Sequence, residues 1–143
     1  MKPSIVPVPA ASPAVQAGPI QALGRRALLA LFSRLSDGQL RIVEDGGTRN
    51  FGRKTLRCPL AATIEVRHPQ FWADAAFGGT VGAGESWIRG DWSCDDLTAL
   101  IRIMVVNRGL MNAMDSGLAV VSAPLRRLLH WMNRNSPEGS SRQ

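Results

Sequence analysis

The chain has 143 residues, enough for one domain with a modest core. Hydrophobic residues make up 45% and charged residues 20%, a composition too apolar for wholesale disorder. The 17 Lys and Arg outnumber the 11 Asp and Glu, and the formal net charge of +6 favours polyanionic partners, either nucleic acid or an anionic bilayer surface.

The first 18 residues combine four prolines with small residues and show no helical or strand periodicity. Such a segment buries too little surface to offset its chain entropy, so we predict a disordered leader over 1–18. The prolines interrupt the apolar core that a secretory signal needs, and no apolar run approaches the roughly 20 residues of a membrane span. We therefore expect a cytoplasmic protein with at most peripheral membrane contact.

An amphipathic pattern that begins at Ile20 and ends at Asp37-Gly38 predicts the first helix. Its apolar positions are Leu23, Ala27, Leu28, Leu31, Phe32 and Leu35. Three β-rich runs follow at 40–44, 48–51 and 62–67, the first two joined by an Asp-Gly-Gly hairpin turn.

A short helix is predicted from Pro69, with Gly78-Gly79 as its end. The stretch 80–92 is interpreted as a glycine-rich irregular segment, after which two aspartates favour the start of a helix over 97–107.

Another apolar stripe follows Pro124, and the tail 135–143 has the composition of a linker. The order of elements predicts an α+β domain over 19–134, in which a small, mainly antiparallel sheet is flanked by helices.

The segment 78–84 invites comparison with glycine loops that bind nucleotides or S-adenosylmethionine. A helix precedes it and no βαβ unit follows, so its context argues against such binding. His68 and His130 are the only histidines and join no catalytic set, and Cys58 and Cys94 form neither a disulfide framework nor a zinc motif. We therefore predict no catalytic residues and no metal site.

Five aromatic residues cluster within a little over twenty positions, and they suit either a core or the wall of an apolar cleft for acyl chains. They are Phe71, Trp72, Phe77, Trp87 and Trp92. Glu85, between the glycine turns expected here, is interpreted either as a functional carboxylate or as an acceptor that fixes the turn.

The segment 125–134 pairs an apolar stripe and Trp131 with Arg126, Arg127 and Arg134. This pattern is typical of an interfacial helix or of a helix that docks on a partner. A solvated helix packed on its own domain has the same pattern, so both interpretations stay open.

Two segments, 62–72 and 78–97, together resemble the amino-terminal domain of cyclopropane-fatty-acyl-phospholipid synthases. The matching positions are Pro69, Phe71, Gly79, Gly82, Gly84, Glu85, Ser86, Gly90, Trp92, Cys94, Asp95 and Leu97. Trp87 stands where the family usually has Tyr, and Ala83 and Asp91 also depart from its pattern. The resemblance covers about residues 20–135, and the domain is also similar, more weakly, to the sterol-carrier lipid-binding fold.

This resemblance implies an accessory domain that binds phospholipid acyl chains and the membrane surface beside an S-adenosylmethionine-dependent methyltransferase domain, without being an enzyme on its own. The lipid-binding residues would be Phe71, Trp72, Phe77, Trp87 and Glu85, and the docking residues would be Arg126, Arg127, Trp131 and Arg134. No cofactor is expected in this chain, because S-adenosylmethionine would belong to the catalytic domain, to which 135–143 would lead.

The partners expected from the resemblance are anionic phospholipid at the inner face of the plasma membrane, a methyltransferase domain and a second copy of the chain in a homodimer. No nucleic-acid partner is expected. Two alternatives stay open. One is a dimerisation or docking module that never touches lipid, and the other is a small enzyme that uses the glycine-rich segment.

Overall fold

The structure, a computed structural model, describes residues 15–117, so the predicted leader, the segment 125–134 and the predicted linker lie largely or wholly outside it. Its elements in chain order are α1 (Pro19–Phe32), β1 (Gly38–Glu44), β2 (Gly47–Arg53), β3 (Ala61–Val66), α2 (Gln70–Arg89), β4 (Trp92–Cys94), α3 (Leu97–Val106) and α4 (Arg108–Asn112), with a π-helical turn at Ala113–Gly117. No helix among the described residues is both long and apolar enough to cross a bilayer.

The four strands form one mixed sheet in the order β2-β1-β3-β4. β1 and β2 pair as an antiparallel hairpin, β1 and β3 are parallel, and β3 and β4 are antiparallel. The loop from β2 to β3 therefore passes the start of β1, where the Gln39 N–H donates to the carbonyl of Leu60 at 3.0 Å. The predicted α+β class and the three predicted strands are confirmed.

One face of the sheet is buried and the other faces solvent. Leu40 and Ile42 of β1 lie opposite Ala62 and Ile64 of β3, and all four side chains are buried in the core. Arg41, which alternates with them, is exposed. Because successive residues of a strand point to opposite faces, the alternating pattern directs one apolar row toward α1, α2 and α3.

The packing of α1 on α2 depends on Gly24. A Cβ at this position would lie 2.4 Å from the carbonyl oxygen of Trp72, so only glycine permits the approach. Arg25 forms an ion pair with Glu44 and lies 5.8 Å from the centre of the Trp72 ring. Leu23, predicted on the apolar face, is 54% exposed, whereas Gly24, Leu28, Leu31 and Phe32 form the buried side of α1.

Helix α2 differs from the prediction. Gly79 has φ 63° and ψ −147°, which breaks the helical geometry at one residue, and the chain then resumes a helix that ends at Arg89. A Cβ at Gly82 would lie 2.1 Å from the carbonyl oxygen of Asp74, so the two halves of α2 fold closely against each other. The prediction of a glycine-rich irregular segment over 80–92 is therefore wrong, because the chain forms a helix to Arg89 and Gly82 allows that helix to pack closely.

Helix α3 begins as predicted. The Asp96 side chain accepts the backbone N–H of Ala99 at 2.8 Å, which caps the helix amino terminus. At its other end the buried side chain of Asn107 donates to the carbonyls of Asp37 and Ile103, both at 2.7 Å. These bonds fix α3 to the start of β1 and set its position beside the second half of α2.

Candidate apolar binding site

An open cleft of about 350 Å³ lies between the second half of α2, helix α3 and the turns after it. Its lining comprises Phe32, Ile64, Phe71, Ala75, Thr80, Ala83, Gly84, Trp87, Trp92, Leu97, Leu100, Ile101, Met104, Met111 and Met114. Apart from the indole N–H groups of Trp87 and Trp92, Thr80 provides the one polar side chain among these described residues. The cleft is therefore an apolar surface built from three helical segments over the covered face of the sheet.

Aromatic residues form the floor of the cleft. The rings of Phe71 and Trp92 lie 5.4 Å apart, tilted by 46°, and both side chains are buried. The Trp92 indole N–H donates to the carbonyl of Ala83 at 2.9 Å. This bond satisfies the polar atom of the indole, so its ring can face the cleft as apolar surface, and it also ties the second half of α2 to β4.

The rim of the cleft contains large apolar side chains that water can reach. Trp87 on α2 is 45% exposed, and Ile101 on α3 is 54% exposed. A ligand that fills the cleft would cover both side chains. Removing their apolar surface from water would contribute a favourable binding free energy of about 25 cal/mol per Å² buried. The rim therefore provides affinity for an apolar molecule.

Three methionines line the side of the cleft next to α4, namely Met104, Met111 and Met114. A methionine side chain is unbranched, has three rotatable bonds and carries a polarisable sulfur, so it adapts to ligands of variable shape. This wall suits a flexible chain better than it suits one rigid molecule.

The second half of α2 is held in place by a polar network at its far end. Arg89 forms ion pairs with Asp74 and with Asp91, the latter at 2.9 Å, and the Ser86 hydroxyl donates to Asp91 at 3.0 Å. The hydrogen bond with Asp91 is the main cause that raises the pKa of Arg89, so this guanidinium stays charged. The network fixes the outer wall of the cleft without placing a charge inside it.

The structure brings together two of the four aromatic residues that the sequence predicts as lipid-binding. Phe71 and Trp87 line the cleft. Trp72 lies on another side of the domain, where it contacts Arg25 of α1, and Phe77 is half-buried against the core without lining the cleft. Trp92, a member of the same aromatic cluster, does line it.

Glu85 lies elsewhere than the sequence predicts. It was expected between two glycine turns, whereas it is exposed on the second half of α2 and does not line the cleft. A helix replaces the expected turn, and the face of α2 that carries Ala83 and Trp87 is the one that lines the cleft.

The docking residues Arg126, Arg127, Trp131 and Arg134 lie outside the described residues. The ring nitrogen Nδ1 of His68 accepts the backbone N–H of Gln70, the first residue of α2, at 3.1 Å. Within residues 15–117 no group of three or more His, Cys, Asp or Glu side chains is arranged to hold a metal ion.

Sequence reasoning missed the contribution of α3 and α4. Ile103 of α3 is buried in the core, whereas Leu97, Ile101 and Met104 line the cleft. The width of the apolar face of α3 could have indicated this second role, because the helix carries more apolar positions than packing on one surface requires.

Comparison with known proteins gives no match: no protein family, no curated protein and no solved structure matches the chain. The resemblance to cyclopropane synthases therefore remains a prediction from the sequence motifs.

Proposed function

We propose that this chain is an accessory lipid-binding domain whose cleft holds the acyl chain of a phospholipid. The observation that carries the proposal is the open apolar cleft of about 350 Å³. This volume falls at the lower end of the roughly 300–1,000 Å³ of small-molecule sites, which suits part of an acyl chain. Each methylene group that enters would contribute about 0.8 kcal/mol of binding free energy.

The chemistry of the lining favours binding over catalysis. Thr80 is the polar side chain of the lining, and its hydroxyl is already hydrogen-bonded to the carboxylate of Asp115 at 3.1 Å. General acid–base catalysis requires a titratable group within hydrogen-bonding reach of the substrate, and the described lining offers apolar contacts instead. We therefore infer that chemistry on a bound acyl chain would be carried out by a separate domain.

The identity of that separate domain rests on the sequence resemblance. In a cyclopropane-fatty-acyl-phospholipid synthase it would be a methyltransferase domain that uses S-adenosylmethionine. This chain would then present a cis-unsaturated acyl chain or its bilayer to that domain. The net charge of +6 supports the choice of an anionic phospholipid as the lipid partner.

A second candidate function is a docking or dimerisation module in which a protein side chain fills the cleft. Val81 and Ile88 favour it, because both are exposed on the second half of α2, next to the rim. A surface that combines a cleft with exposed aliphatic residues suits a partner helix as well as a lipid.

Bromine quenching of tryptophan fluorescence tests the proposal. A stearic acid that carries two bromine atoms at carbons 9 and 10 quenches only tryptophans that it contacts, and Trp87 and Trp92 line the cleft. We expect saturable quenching by this acid and none beyond dilution by a brominated sugar or salt of equal concentration. Replacing Ala83 by Trp should fill the cleft and abolish the saturable binding, measured with a competing fluorescent fatty acid.

A matched control replaces Ala61 by Trp, because Ala61 is exposed at the start of β3 and outside the cleft. This variant should bind the fatty acid as the parent chain does. Equal binding by the parent and the Ala83→Trp variant would refute the cleft as the lipid site. Absence of binding in the parent, together with concentration-dependent dimerisation that Ile101→Asp abolishes, would support the docking module.

A further inference from the structure

The loop that joins β2 to β3 carries a leucine that nothing in the described structure covers. Leu56 has a relative exposure of 106%, so its whole side chain is in contact with water. A single exposed leucine is ordinary on a protein surface, but one at a loop tip among basic side chains can enter a bilayer interface.

The turn that carries Leu56 is firmly held at its base. The backbone N–H of Thr55 donates to the carbonyl of Cys58, and the backbone N–H of Cys58 donates to the Thr55 hydroxyl, both at 3.1 Å. The Thr55 hydroxyl donates to the carboxylate of Asp37 at 2.7 Å, and Cys58 is buried in the core. Because both ends of the turn are fixed, Leu56 is displayed in a defined position, so little conformational entropy is lost when it is buried.

Basic residues surround this turn. Arg53, Lys54 and Arg57 flank Leu56 in the sequence, and all three are exposed. Arg57 also lines a shallow depression of about 600 Å³ together with Arg34 and Arg108, next to the carboxyl end of α3. Asp37 pairs with Arg57 at 3.7 Å, whereas Arg34, Lys54 and Arg108 form no salt bridge with any residue in 15–117.

We propose that the end of the domain formed by Arg34, Arg53, Lys54, Arg57 and Arg108 docks on an anionic bilayer, with Leu56 inserted among the lipid headgroups. The charges complement anionic headgroups, and the depression lined by three arginines accepts a phosphate. The exposed aliphatic side chain favours a bilayer over a nucleic acid. Proteins that bind single-stranded nucleic acid stack its bases on aromatic side chains, and no described aromatic residue lines this depression.

This inference deepens the proposed lipid function and rests on it, but it concerns a different surface. Met104 lines the apolar cleft, whereas Val105 and Val106 line the arginine depression, so α3 separates the two. Docking at the depression would bring the cleft close to the lipid that it binds.

The test is co-sedimentation of the full chain with phosphatidylcholine vesicles, either pure or containing roughly 30% of the anionic lipid phosphatidylglycerol. We expect binding to the anionic vesicles that weakens as salt is raised. Leu56→Gln should lower the partition coefficient about fivefold to tenfold. The matched control Leu23→Gln replaces an exposed leucine on α1 and should change it by less than about twofold.

A second pair of variants tests the charges. Lys54→Glu with Arg108→Glu should lower anionic vesicle binding by roughly tenfold or more. Arg26→Glu with Arg49→Glu makes the same change in net charge at exposed positions on α1 and β2, and should have an effect less than about a third as large. Circular dichroism and the thermal midpoint should show that all four variants are folded.

The outcomes separate this inference from the proposed function. Lost vesicle binding with retained fatty-acid quenching in Leu56→Gln supports the docking surface. Equal effects of the Leu56 and Leu23 variants, or no binding of the parent to anionic vesicles, would overturn it even where the cleft binds fatty acid. Tight binding to single-stranded RNA that Leu56→Gln leaves unchanged would also overturn it and assign the basic end to nucleic acid.

Discussion

The carboxylate of Asp115 accepts two hydrogen bonds from Thr80, one from the backbone N–H at 2.9 Å and one from the hydroxyl at 3.1 Å. Thr80 begins the second half of α2, directly after the break at Gly79. An acceptor at a helix start satisfies an N–H group that has no partner within the helix. Asp115 therefore links the π-helical turn after α4 to the helical segment that forms the outer wall of the cleft.

We predict that Asp115→Ala destabilises the folded chain by about 1 kcal/mol, the usual effect of losing a side-chain cap. Urea denaturation measures this change in the free energy of unfolding. Hydrogen exchange should show the loss of protection concentrated in residues 80–89, because they lose their cap. Asp45→Ala, at the exposed hairpin turn, is the control and should have little effect. A uniform loss of protection across the sheet would contradict this assignment.

Two glycines in the second half of α2 should respond to alanine in opposite directions. Gly82→Ala places a Cβ 2.1 Å from the Asp74 carbonyl oxygen and should destabilise by about 1–3 kcal/mol. Gly84→Ala meets no heavy atom within 4 Å and should stabilise by about 0.5–1 kcal/mol, because alanine favours helix. Thermal or urea unfolding distinguishes them, and similar effects of both variants would argue against the close packing of the two half-helices.

Acid should weaken the contact between Asp95 and β3. The Asp95 carboxylate accepts the backbone N–H of Thr63 at 2.7 Å, and this bond holds the pKa of Asp95 below its ordinary value. The folded pKa is lower than the unfolded one, so the stabilisation is fully present above about pH 5 and is lost as the pH falls through the folded pKa. Because the carboxylate is exposed, the contribution stays below about 1 kcal/mol.

The variant Asp95→Asn tests this expectation. Its free energy of unfolding should fall below that of the parent chain at pH 6, and the difference should shrink as the pH is lowered toward 2. Urea titrations at several pH values provide the comparison, with Asp45→Asn as the control. A difference that stays constant from pH 6 to pH 2 would mean that the carboxylate charge has no part in the contact.

The sequence predicted those elements whose stability depends on local periodicity. The alternation at Ala62, Ile64 and Val66 identified β3, and the Asp96 cap identified the start of α3. β4 has only three residues and depends on pairing with β3, so it has no local signal. The parallel pairing of β1 with β3 is likewise set by the path of the loop past β1.

The second half of α2 could not be predicted for a different reason. In the local sequence its glycines resemble a turn. Gly82 is needed for another reason, because the backbone of Asp74, eight positions earlier on the first half of α2, lies too close for any side chain. The cleft lining followed from that fold. Phe71, Trp87 and Trp92 of the aromatic cluster line the cleft, whereas the methionine wall depends on how α3 and α4 pack.

Methyl NMR of the full chain, labelled with ¹³C at the methionine methyl groups, would detect an acyl chain bound between α2, α3 and α4. Variants Met104→Leu, Met111→Leu and Met114→Leu assign the three cleft signals. With a cis-unsaturated fatty acid, we predict saturable shifts of these three signals and nuclear Overhauser effects to the olefinic protons of the ligand. Unchanged signals at fatty-acid concentrations that saturate tryptophan quenching would contradict acyl-chain binding in the cleft.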